Sequence, residues 1–423
     1  MGVRLPATIR DTGTWIRRFA ATTPGVIGAV LVVTTIVCLI AGLTVGQQLD
    51  AKIGRTEQVL DRTEPLAFAA QSLYVSLSAA DAGAATAFLS GGVESPQVRD
   101  VYEQALAEAA AALAEATAGA TDARSRAIVA RIAADLPTYT GLVETARANN
   151  RQGFPVGSAY LRQASDLMQT SLLPQAEQLN EARFAAVRAD QHRVGALPWT
   201  SVVLLLLVLI ACAAGSVVLL RRTNRLVNAG IALAAAATLL ALLWTAGATV
   251  TAAQLLDTGD GGAGARVEHL AGARILAQQA RTDETLALIT RGDITGPEQS
   301  FRTHLTDLEQ RLTAAGIGDS EAVRALTNWN AGHNAQRTAY EKADFRGAVT
   351  QAIGTGPDSS ATSFARLDNE LRAALAQART DLRDGVDAAG TTFLLSPFGT
   401  LLLLLAAAGA VVTGLWPRLK EFL

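Results

Sequence analysis

The side chains best able to do chemistry are thinly spread along this chain of 423 residues. Its four histidines, His192, His269, His304 and His333, stand at no spacing that would bring two of them, or one with Cys, Asp or Glu, onto a common metal. The sequence holds no phosphate-cradling Gly-Lys-Ser/Thr loop, nucleophile elbow or kinase signature. Glu103, Glu108, Glu115, Glu309 and Glu370 recur at the spacing of solvated helix faces, where a carboxylate has no partner for acid–base work. We therefore expect a non-enzymatic protein with no catalytic residue, metal or cofactor.

Recognition chemistry is better represented. Asn149-Asn150-Arg151-Gln152-Gly153-Phe154-Pro155 sets amides, a guanidinium and an aromatic ring on a loop, as a docking surface does; the alternative is a helix end with Phe154 folded back as a hydrophobic cap. The break holding Glu94 is expected beside it, so a partner-binding tip comprises Glu94, Asn149, Asn150, Arg151, Gln152 and Phe154. A second cluster pairs Trp329 with His333 and Asn330 with Asn334 at i,i+4. It could hold a polar ligand, or Trp329 fills the core while the amides face solvent. The run from Asp257 to Gly264 has the Asp and Gly content of a calcium loop without its ligand spacing or closing Glu, and reads as a flexible junction.

The elements that must position these groups are set by four charge-free apolar stretches, 19–49, 194–220, 226–256 and 388–417. Each exceeds the roughly 20 residues a helix needs to cross a bilayer. Arg4, Arg10, Arg17 and Arg18 precede the first, Arg221, Arg222 and Arg225 lie between the second and third, and Arg418 and Lys420 follow the fourth. The positive-inside rule then places both termini and the short hairpin in the cytoplasm and the two long polar blocks outside. With those nine basic residues and Asp11 and Glu421 assigned inside, 27 basic and 36 acidic residues remain outside, a net charge of −9. That sign disfavours nucleic acid as a partner. Uncharged spans also argue against ion or proton transport. Trp15, Trp199 and Trp416 fall near span ends, as interface anchors do, and the only cysteines, Cys38 and Cys212, lie within spans as apolar filler.

Neither polar block alternates like a strand, and both are rich in helix formers. Leu66, Leu73, Leu77, Ala80, Ala84 and Phe88 form a coiled-coil-like seam; Ser95-Pro96 opens a second helix, 118–122 turns into a third, and Leu161, Met168, Leu172 and Leu179 mark the fourth. In the second block Phe301, Leu305, Leu308 and Leu312, then Phe364, Leu367, Leu371, Leu375, Ala378 and Leu382, repeat the plan, with breaks at 291–297 and 354–359. Phe88-Leu89-Ser90-Gly91-Gly92 recurs as Leu288-Ile289-Thr290-Arg291-Gly292, which suggests a tandem duplication. The expected fold is all-α: four transmembrane helices (20–47, 195–220, 227–252, 390–416) and two tandem extracytoplasmic four-helix bundles (48–194, 253–389) whose outer helices continue into the membrane. The segments 1–19, 221–226 and 417–423 are left inside.

Bundles on paired membrane-continuous helices resemble the sensor regions of bacterial chemoreceptors and sensor kinases, but without the cytoplasmic relay helix and output domain of those proteins. Two such bundles on four spans, with the stretch Ala148-Asn149-Asn150-Arg151-Gln152-Gly153-Phe154-Pro155-Val156-Gly157-Ser158-Ala159-Tyr160-Leu161-Arg162, resemble the GlnX family of actinobacterial membrane proteins. The resemblance implies a plasma-membrane relay. An extracytoplasmic solute-binding lipoprotein of the glutamine-binding type senses amino acids and engages the membrane protein, and the signal reaches a cytoplasmic serine/threonine protein kinase, directly or indirectly, that controls glutamate metabolism. It also allows a homodimer. Cytoplasmic contact candidates are Arg17, Arg18, Arg221, Arg222 and Arg225, which serve equally as topology determinants. The alternative function is a structural or accessory scaffold for a transporter or envelope complex.

Overall fold

The structure is a computed structural model that describes residues 23–91, 96–223, 228–257, 259, 261–290, 294–318 and 320–420. The described chain is all-α, without a strand, and four of its helices are long and apolar enough to cross a membrane. It falls into two compact units, an apolar one within Met1–Glu57, Arg193–Leu255 and Asp387–Leu423, and a polar one within Gln58–His192 and Leu256–Val386.

The apolar unit is built from α1 (Thr23–Gln58), α7 (Trp199–Thr223), α8 (Ala229–Leu256) and α14 (Ser396–Lys420). Lipid supplies no hydrophobic drive between helices, so small residues that admit close packing carry the association. A side chain at Gly230 would collide with Ala410 O and with the Gly414 backbone, so α8 and α14 touch main chain to main chain. Asn228 secures that crossing, donating to Gly414 O at 3.1 Å and accepting from Gly230 N at 2.9 Å. Gly215 on α7 meets Val30 of α1, and Gly42 on α1 meets Leu404 of α14. Lys52, buried, donates to Val194 O at 2.7 Å and Ala196 O at 2.6 Å, carbonyls freed where the chain bends before α7.

The polar unit holds α2 (Glu64–Leu89), α3 (Pro96–Ala118), α4 (Ala123–Arg151), α5 (Val156–Leu167) and α6 (Leu173–Gly195) from the first block. The second block supplies α9 (Ala263–Thr290), α10 (Thr295–Ala314), α11 (Glu321–Glu341), the short α12 (Phe345–Ile353) and α13 (Ser360–Phe393). Two π-helical turns, Val59–Thr63 before α2 and Met168–Leu172 before α6, each stand just ahead of a proline, Pro65 and Pro174. A proline has no N–H to donate, and its ring crowds the carbonyl four residues earlier; the wider turn accommodates both. The two blocks share one unit because α2 packs against α9, and Ile275 and Ile289 of α9 join the core of the first block.

The seams read from spacing are the core: Leu73, Leu77, Ala80 and Ala84 are buried, as are Phe301, Leu305, Leu308, Leu312, Leu367 and Leu371. The turn after α3 packs on the start of α2, since a side chain at Gly119 would overlap Leu66. The break after α4 reaches the other end of α2, where Asn150 Nδ2 donates to Phe88 O at 2.9 Å. The second block departs from the first at α12. Its third helix stops at Glu341, with Ala343 at φ +61°, and α12 then lies against Leu288 before the break at 354–359.

Between α8 and α9 the chain does break, whereas α1 and α2 are joined through a helical turn. Asp257 adopts φ +32°, and Gly262 has no room for a side chain because Asp257 O occupies that place. Thr258 and Asp260 of this run lie outside the described residues.

Candidate functional site

The buried faces of α2 and α9 each carry an ionisable centre. Asp81 sits on the Leu77–Ala84 face of α2, 2% exposed. Its carboxylate accepts from Ser165 Oγ at 2.8 Å, Gln169 Nε2 at 3.3 Å and Tyr139 Oη at 3.4 Å, all neutral donors. Burial pushes its pKa up to about 6 from an ordinary 3.8, with the three donors pulling the other way. Tyr139, also fully buried and facing this carboxylate, is raised well above the usual phenol value.

On α9 the corresponding stretch carries a denser network. Glu284, 1% exposed, takes a 2.5 Å bond from Arg281 Nη1, a 3.1 Å bond from Trp329 Nε1 and a 3.3 Å contact from His333 Nδ1. Burial alone would raise its pKa; Arg281 and His333 outweigh that and hold it down to about 2. The opposite edge of the imidazole meets Glu298 Oε2 at 2.8 Å, and the Phe301 ring stacks on its face at 3.7 Å. Burial lowers the pKa of His333, but the two carboxylates prevail and raise it. When His333 is protonated, both its nitrogens donate and the ring bridges α9, α10 and α11 as an internal cation.

The structure divides the Trp329 cluster. Trp329 is fully buried and His333 nearly so, whereas Asn330 and Asn334 face solvent and bond only to each other's segment, Asn334 Nδ2 to Asn330 O at 2.9 Å. Asp81 escaped the reading by composition because it lies among apolar residues of α2, and Arg281 and Glu284 because α9 carries several other charges. The signal was their register: Asp81 is four residues after Leu77, and Glu284 four before Leu288. The five glutamates assigned to solvated faces are all exposed.

The tip is built by the end of α4. Asn149 O receives Gln152 N and Phe154 N, Gly153 adopts φ +74°, and the turn leads directly into α5. Asn150 is tied to α2, Asn149 Nδ2 to Thr145 O at 2.8 Å, and Arg151 and Gln152 are exposed. Phe154 is not folded back: it is 52% exposed, next to Val156 at 48%. Glu94, Arg17, Arg18 and Arg225 lie outside the described residues; Arg221 is exposed on the last turn of α7.

No curated protein and no solved structure matches the chain. Residues 55–192, the segment that contains α2 to α5, most of α6, Asp81 and the Phe154 tip, match the family model of the actinobacterial sensor domain.

Proposed function

We propose that the protein is a non-enzymatic transmembrane receptor. In this reading the polar unit lies outside the plasma membrane, both termini lie inside, and the Phe154 tip docks an amino-acid-binding lipoprotein. The outcome passes to a cytoplasmic serine/threonine kinase that controls glutamate metabolism, directly or through another protein. The observation that carries the sensing role is the sensor-domain match over 55–192. The exposed Phe154, Val156 and Arg151 on one turn support docking there, because an apolar group held out of the core by a fixed turn is available to a partner. Transmission in this reading is a choice between two packings of α2 against α9, biased by whichever packing the partner prefers. The partner and the kinase come from the family resemblance.

The test is co-purification of the full chain with the lipoprotein, using Phe154→Ala and Arg151→Ala. Both side chains are exposed, so the fold is expected to survive. Loss of about tenfold or more in affinity supports the tip. Unchanged binding by both variants removes it, and a protein whose stability is the same with and without the partner is a scaffold instead.

A further inference from the structure

Within the polar unit, a cleft of about 480 Å³ runs between α2 and α13, with Arg274 of α9 at one end. Four guanidiniums line it, Arg274, Arg372, Arg379 and Arg383, and no carboxylate does. The two carboxylates that anchor them stand outside that lining. Asp368, largely buried, holds Arg274 at 2.7 Å and Arg372 at 2.7 Å; Glu64, also buried, holds Arg379 and, at 2.7 Å, Arg383. Each end thus has two guanidiniums on one carboxylate, and one positive charge at each end is uncompensated by its partners. This is an unusual feature in two blocks whose sequence is net acidic.

Between the two charged ends the wall is apolar. Leu375 and Ala376 of α13 fall between Arg372 and Arg379, and Val75 and Phe68 of α2 face the same space. Arg379 is already stacked over Phe68, 3.7 Å from the ring centre, which fixes the guanidinium at the cleft edge. Gln71 lines the middle of the cleft; it is 1% exposed, and its Oε1 has no hydrogen-bond partner. A buried acceptor left unsatisfied costs stability unless something donates to it. On α13, Arg372 and Arg379 are seven residues apart, so the two cationic ends are separated by about 10 Å at 1.5 Å per residue.

We propose that this cleft binds a linear organic dianion, an α,ω-dicarboxylate with an apolar middle. One carboxylate takes the spare guanidinium beside Asp368, the other the spare guanidinium beside Glu64, and the chain lies along Leu375 and Ala376. Planar guanidiniums suit carboxylates because both form paired N–H···O bonds, and the volume is that of small-molecule sites. The site is separate from the docking tip, and no result at Phe154 bears on it.

The test is calorimetric titration of the full chain in nanodiscs, at fixed ionic strength, with acetate, succinate, suberate and inorganic pyrophosphate. Saturable binding is expected, with succinate about tenfold tighter than acetate and tighter than suberate, because ends about 10 Å apart suit a short dicarboxylate that engages both, while acetate engages one. The double variant Arg372→Gln/Arg379→Gln leaves each carboxylate one arginine and is expected to fold while losing binding by tenfold or more. Should it fail to fold, Gln71→Glu places a negative charge inside the cleft and is expected to have the same effect on binding. The proposal is overturned by absence of saturation with every dicarboxylate, by acetate binding as tightly as succinate, by pyrophosphate binding more tightly than all of them, or by unchanged affinity in the folded variants.

Discussion

Asp81→Asn is expected to stabilise the protein at neutral pH and to do nothing at low pH. Asp81 has a folded-state pKa of about 6 against an ordinary 3.8, caused first by burial. A carboxyl whose pKa is raised on folding adds its full share of stability below the unfolded value and loses it as pH rises through the folded one, here between about pH 4 and 6. At 1.36 kcal/mol per pKa unit, the shift from 3.8 to about 6 amounts to roughly 3 kcal/mol of penalty above pH 7. Asparagine keeps the shape and removes the charge. Its amide can be received because all three partners are reversible: the hydroxyls of Ser165 and Tyr139 and the amide of Gln169 each donate or accept. For a unit of this size that is a rise in melting temperature of about 5–10 °C at pH 7.5, shrinking to near zero at pH 4. Thermal unfolding of wild type and variant in the same detergent at both pH values measures it, since other titrating groups cancel in the difference. A variant less stable at pH 7.5, or a difference that does not depend on pH, refutes the reasoning.

His333→Gln is expected to cost most stability at acidic pH: the folded pKa of His333 is raised above its ordinary 6.5, so its contribution is complete below that value and fades as pH climbs through the folded one. Denaturant melts at pH 5.5 and 8.5 should show the gap narrowing. Trp329→Ala empties a fully buried ring site and strands Glu284 without its indole donor, a loss of about 3–5 kcal/mol by the same melts. Gly230→Leu should prevent α8 from meeting α14, seen as a lower melting temperature of the full chain; an unchanged value would show that the helices do not touch there.

The helices were legible because charge-free length and apolar register leave little choice. Pro96, the 118–122 turn and Gly153 mark boundaries that the structure keeps. The short α12 was not legible, since nothing in Lys342-Ala343-Asp344 announces a helix stop except the left-handed Ala343, a conformation its residue type disfavours. Nor was the joining of the two blocks, because the face of α9 that meets α2 carries Gln279 and Ile275 among charges and has no clean stripe. Of the candidate clusters, the tip could be placed by helix length alone. All three donors to Asp81, and two of the three to Glu284, come from other helices, and such long-range partners leave no spacing around the acid itself in the sequence.

The π turn at Met168–Leu172 has a chemical reach beyond its own bonds. It acts as a phase shift: one additional residue per turn rotates everything beyond it by about 100° relative to an unbroken α-helix. Gln169 lies in that turn and Ser165 just before it, and both donate to Asp81. The pyrrolidine ring of Pro174, which has no polar hydrogen and never touches the acid, is thereby linked through this turn to Gln169, one of the donors that lower the proton affinity of a carboxyl on another helix. Replacing Pro174 with alanine changes no charge, and is expected to act on Asp81 only through the turn that holds Gln169.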